Sequence, residues 1–112
     1  MVTVDFAREF ALSFEEAVEQ PHFERTSFRV KKKLFATMDE QLKHVVVKFT
    51  LEQQSLFGLH NPAAIYPVPG GWGKQGYTIL ALRQVRKEVF KDALTISYCH
   101  VAPKKLAEKY SV

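Results

Sequence analysis

FERTSFRVKKKLFATMDEQLKHVVVKFT, residues 23–50, places apolar side chains at every second position rather than every third or fourth. Phe28 and Val30 alternate with Arg29, and Leu34, Ala36 and Met38 alternate with Phe35 and Thr37. A period of two belongs to a strand with one buried face, so this stretch predicts a hairpin connected by Lys31-Lys32-Lys33. In His44–Thr50 a third strand sets Val45, Val47 and Phe49 on one face and His44, Val46 and Lys48 on the other, with Asp39–Lys43 as the turn. Three successive antiparallel strands make a meander.

On the N-terminal side, Phe6, Phe10 and Phe14 recur every four residues beside Ala7, Ala11, Ala17 and Val18. That stripe predicts an amphipathic helix over 4–19, stopped by Pro21 because the residue before a proline avoids helical angles. On the C-terminal side, Thr50 and Gln53 have the spacing of a capping box and start a short helix over 51–59. The run Asn61–Gly76, NPAAIYPVPGGWGKQG, follows with three prolines and four glycines. A structureless loop of this length is uncommon in a compact domain and is usually functional or disordered; Tyr66 and Trp72 argue against disorder. Within it, residues 64–66 predict a brief edge strand, since the flanking prolines exclude a central one. Tyr77–Leu82 reads as a buried strand, residues 86–99 as a helix, and Pro103 as the opening of a further short helix. The order α-β-β-β-α-β-β-α predicts a two-layer α+β domain over residues 1–112, with helices packed on an antiparallel sheet.

With 112 residues, 46% of them hydrophobic, the chain is large enough to bury a core without disulfides or metal. Its single cysteine, Cys99, fits a reducing compartment. The opening MVTVDFAREF lacks the basic start and apolar run of a signal peptide, and no stretch is long and apolar enough to span a bilayer, so a soluble cytoplasmic protein is expected. Charge is uneven: residues 1–24 hold one basic residue against six acids, the remainder fifteen against six. An acidic first element and a basic body give two electrostatic faces, of which the basic one attracts polyanions.

Catalytic constellations are missing from this pattern. Cys99 and His100 are neighbours on a helix and point about 100° apart, which prevents a nucleophile and base pair. His22, His44 and His60 have no metal-ligand spacing, and GGWGKQG fits neither phosphate-loop consensus. No metal, cofactor or catalytic activity is expected, and Cys99 reads as a small, partly buried hydrophobe. Two features remain. Arg25, Arg29, Lys31, Lys32 and Lys33 lie on or beside the first hairpin, where they make either a wing for a phosphate backbone or a solvated turn. Tyr66, Trp72, Lys74 and Tyr77 make a recognition platform if exposed, or an anchor for the long loop if buried; burial of Trp72 is the expectation favoured.

The succession EAVEQPHFERTSFRVKKKLFATMDE (16–40), VVVKF (45–49), Gly76-Tyr77 and SYCHVAPKKL (97–106) resembles the MmcQ/YjbR family of small bacterial proteins. The resemblance implies an α+β domain similar to secretion chaperones, a DNA-binding label with a winged arrangement, and no catalytic residues. It places Pro21, Phe28, Phe35, Ala36, Lys48, Ser97 and Tyr98 at the family's recurring positions. Lys32 stands where the family commonly has a turn glycine, and Tyr77 where it commonly has tryptophan. Lys32 therefore either takes a left-handed backbone or sits in a longer turn. Two functions follow: sequence-tolerant binding of DNA or another nucleic acid through the basic hairpin, or a chaperone-like module for a protein or peptide partner.

Overall fold

In the computed structural model, which describes residues 1–110, the alternating segment folds as the expected meander. Strands β2 (Arg25–Val30), β3 (Lys33–Asp39) and β4 (His44–Lys48) run antiparallel. Ahead of them come α1 (Val4–Leu12) and β1 (Ala17–His22). After them follow α2 (Leu51–His60), β5 (Ile65–Pro67), α3 (Gly71–Lys74), β6 (Tyr77–Ala81), α4 (Lys87–Val101) and α5 (Lys104–Ala107). The six strands form one antiparallel sheet in the order β1-β2-β3-β4-β6-β5. The α+β class is as expected, with one strand more than the periodicity predicts.

That strand replaces the end of the expected long helix. Thr3 caps α1 by accepting from the Phe6 amide, but the helix closes at Ser13, whose hydroxyl donates to the Phe10 carbonyl at 2.6 Å. Glu16 then takes a left-handed φ of 62°, and the chain reverses into β1. Two distant tyrosines hold this reversal: Tyr98 Oη donates to the Glu15 carbonyl at 2.6 Å, and the Glu15 amide donates to Tyr110 Oη at 2.9 Å. Pro21 does not stop a helix. It lies opposite Thr26 on the outermost strand, where a missing N–H is tolerated. Phe14 keeps its inward position in the turn, stacked on Tyr98 at 4.4 Å and edge-on to Phe35 at 5.9 Å.

Lys31 and Lys32 form a two-residue turn between Val30 and Lys33, with φ of 50° and 69°. Both residues are left-handed, as in a type I′ hairpin, whose twist matches the strands at the cost of strain in any side chain but Gly, Asn or Asp. The departure at Lys32 is therefore resolved as strain rather than as a longer turn.

The helices cover one face of the sheet. Val45, Val47, Ala36, Met38 and Phe28 point into this layer and meet Phe90, Leu94 and Tyr98 among the core residues. Burying each large apolar side chain contributes about 1.5–3 kcal/mol. Burial also pushes the Tyr98 hydroxyl up to about 12, with Tyr110 and Glu15 adding to it. At one place the sheet departs from regular pairing. Phe28 pairs with Ala36 but Arg29 with Leu34, so Phe35 is an extra residue in a bulge, and it turns toward the helices. Pairing of β3 with β4 ends at Ala36 and Val47. Beyond it the Ser97 hydroxyl of α4 donates to the Phe35 carbonyl at 2.6 Å and accepts from the Lys48 amide at 3.2 Å.

Two substitutions test these features. Replacing Lys31 by Asn and Lys32 by Gly together should raise stability by about 1–2 kcal/mol in urea unfolding, through relief of two left-handed side chains. Ser97→Ala should lower it by about 1–3 kcal/mol, since it leaves a buried carbonyl and amide without their partner.

Candidate functional site

Among the described residues, no helix packs across the other face of the sheet; the short turn α3 only borders it. Along β4 the side chains alternating with the core are His44, Val46 and Lys48; across the sheet Thr37 faces Val46, and Val46 faces Ile79. These residues floor a groove of about 900 Å³. One wall is built by Val68, Pro69 and Trp72 from the proline- and glycine-rich segment, and Leu42, Asp39, His22 and Arg25 border the opposite end. Val101 also lines it, together with Leu34, Phe35, Val47 and Lys48 around the split held by Ser97. A residue of the helix layer thus reaches the open face where β3 and β4 part.

The segment 61–76 is structured. It supplies edge strand β5, close to the expected 64–66, and the helical turn α3. Its anchor, however, is not Trp72, whose side chain lies on the surface with 61% of the residue exposed. Gly73 and Gly76 hold the segment down instead. A Cβ on Gly73 would lie 2.1 Å from the Val68 carbonyl oxygen, and one on Gly76, which has φ of 105°, 2.0 Å from that of Phe49. The Gln54 side-chain amide of α2 is aimed at the carbonyls of Gly73 and Tyr77 and at Thr78 Oγ1, at 3.0, 3.2 and 3.0 Å. The loop is fixed by backbone contact and one amide, which leaves the indole free to face outward. The expectation of a buried tryptophan missed this because glycine packing has no hydrophobic signal.

Trp72 stands edge-on to the Tyr77 ring at 5.4 Å, and Lys48 Nζ lies 4.6 Å from the centre of that ring. Of the four loop residues singled out by sequence, these contacts unite Trp72 and Tyr77; Tyr66 instead pairs with His44 at 6.4 Å, and Lys74 is exposed on α3. Lys48, His22, His44, Val46 and Ile79 belong to the groove and were not among those candidates. The period-two reading did place His44, Val46 and Lys48 on the face opposite the core, which was the available signal.

The five hairpin cations do not form one patch. Arg25 and Lys31 sit at opposite ends of β2, about 20 Å apart at 3.3 Å per residue. Arg25 Nε lies 3.9 Å from Asp39, and Lys31 Nζ pairs with Glu16 at 2.7 Å. Arg29 donates from Nε to Ser27 Oγ at 3.1 Å and approaches His22 Nδ1 at 3.4 Å, which turns it toward the open face. Among the described residues, Arg29, Lys32, Lys33, Lys48 and Lys74 make no ion pair. Cys99 is half-buried, its thiol pushed up by burial and directed at the Ala107 carbonyl. Among the described residues no cluster of His, Cys, Asp or Glu is placed to hold a metal ion, and no helix is long and apolar enough to cross a membrane.

Comparison with known proteins agrees with this architecture. The family model YjbR matches residues 12–100. The crystal structure of Deinococcus radiodurans protein DR2400, with a DUF419 domain, is similar over 98% of this chain and 88% of its own, with a TM-score of 0.80 and 22% identity. That likeness is one of fold. No curated protein matches the sequence.

The anchoring scheme makes a direct prediction. Trp72→Ala should change unfolding stability by less than about 1 kcal/mol, because the indole is on the surface. Gly73→Ala should cost about 1–3 kcal/mol, because its methyl group meets backbone. Urea midpoints in the reverse order would contradict it.

Proposed function

The chain belongs to the YjbR family, and we propose that it is a sequence-tolerant nucleic-acid-binding protein whose contact surface is the open face of the sheet. The observation that carries this reading is the exposed Trp72 indole beside Tyr77, with Lys48 lying against the Tyr77 ring. Aromatic faces that stack on bases, set beside cations that meet phosphates, are the usual parts of such surfaces and need no base-edge contacts. Arg29 extends the positive charge along the same face, and Lys32 and Lys33 add an exposed cationic edge at the Lys48 end of the sheet. The hairpin tip thus has a supporting part rather than the leading one, because Lys31 is already paired with Glu16. The reading requires no catalytic step.

An interaction module for an acidic or apolar peptide is the second reading, favoured by the apolar floor of Val46 and Ile79 and by the open groove. The two differ in their response to salt. Counterion release makes nucleic-acid affinity fall steeply with ionic strength, by a log–log slope of about 0.7–0.9 for each phosphate neutralised.

Affinity for a mixed-sequence oligonucleotide, measured over a range of salt concentrations, should lie in the micromolar range at low salt. Lys48→Gln and Arg29→Gln should each reduce the salt slope by about 0.7–0.9, and Lys31→Gln by less. Absence of binding at low salt, or slopes unmoved by all three changes, would turn the assignment to the peptide partner.

A further inference from the structure

We infer that the groove takes nucleic acid as a single strand, with an unpaired base stacked on Trp72 and the flanking phosphates directed to Lys48 and Arg29. This inference rests on the nucleic-acid reading of the same face. Its first support is chemical. A ring on the surface offers a π-face, and the complementary partner is the face of a base, which a duplex hides within its stack. Duplex DNA approaching this sheet would present phosphates and groove edges, which engage only the single N–H of the indole and leave its π-face unused.

The second support is the distribution of polarity. The floor beside the cations is apolar: Leu34 lies on β3 between Arg29 and Lys48, and half-buried Val46 and buried Ile79 continue the floor from Lys48 toward His44. Phosphates laid on that floor would lose water without gaining a partner, whereas base faces would lose little. The free cations lie at the flanks: Lys48 is held against Tyr77 at one end, and Arg29 lies on β2, beyond β3. Bases inward and phosphates outward is the arrangement that fits both.

The third support is size. From Lys48 to His44 the groove follows five residues of β4, about 14 Å at 3.4 Å per residue. That length accommodates about four nucleotides, the low end of single-strand site sizes.

Trp72 is the only tryptophan in the chain, so its intrinsic emission reports on the slot directly. The 112-residue chain would be titrated with oligothymidylate of about ten nucleotides, with a blunt duplex of the same length, and with polyglutamate, all at low salt. The expected result is quenching of Trp72 emission by the single strand and an affinity about tenfold or more above that for the duplex. Anisotropy of a labelled oligothymidylate should show Trp72→Ala weakening binding by about tenfold and Trp72→Phe by less, since phenylalanine still stacks. Equal or tighter binding of the duplex, without quenching, would overturn the single-strand inference while leaving nucleic-acid binding in place. Failure of both nucleic acids would remove the two together. Quenching by polyglutamate alone would assign the groove to an acidic peptide.

Discussion

A single hydroxyl joins the helix layer to the sheet at the edge of its open face. Ser97 stands between the Phe35 carbonyl and the Lys48 amide, in the place where β3 and β4 would otherwise pair, and satisfies both groups. A sheet cannot part in its middle without leaving polar backbone stranded, so the bulge at Phe35 is affordable only with a donor and acceptor supplied from outside the ladder. Several consequences meet at this one spot. Phe35 turns into the aromatic cluster with Phe14 and Tyr98, and Val101 reaches the groove one turn beyond Ser97. Lys48, whose amide Ser97 holds on the β3 side, pairs with Tyr77 across the β4–β6 ladder and carries its ammonium over that ring.

The neighbouring Tyr98 joins the same helix to the N-terminal half of the fold. Its ring stacks on Phe14 and its hydroxyl binds the Glu15 carbonyl, so one turn of α4 fixes both the split sheet and the reversal that begins β1. The loop on the far side is held by different means. Gly73 and Gly76 press against backbone, and Gln54 gathers the oxygens around them, which lets the most hydrophobic side chain of the segment remain outside. Exposing an indole forgoes hydrophobic stabilisation. The loop is thus anchored without its tryptophan, and under the proposed function the exposed indole is the part that meets the ligand.

The strands were legible in the sequence because the period of two holds through 28–30, 36–38 and 44–49, and the capping box at Thr50 and Gln53 forms as its spacing implies. The expected faces of Leu34 and Phe35 are reversed, because the bulge turns Phe35 into the core and leaves Leu34 on the groove side. The end of α1 was not legible. The aromatic stripe continues through Phe14 to Val18, and the groups that break the helix there, Tyr98 and Tyr110, lie more than eighty residues away. The cationic cluster misled for a related reason: residues close in sequence on one strand are separated along its length, while Lys48 and Trp72, distant in sequence, meet on Tyr77. Half of the candidate site could be named from sequence, but its assembly is a property of sheet order β4-β6-β5.

The chain therefore has a helical face that is finished and a sheet face that is not. The measurement that tests this account most directly is a map of backbone amide and indole NMR shifts on addition of oligothymidylate. The account predicts that the largest changes fall at Val46, Lys48, Tyr77 and Ile79 and at the Trp72 indole, with Phe90 and Leu94 in the helix layer unmoved. Changes confined to the Lys31–Lys33 turn, or centred on the helices with the sheet face silent, would contradict it.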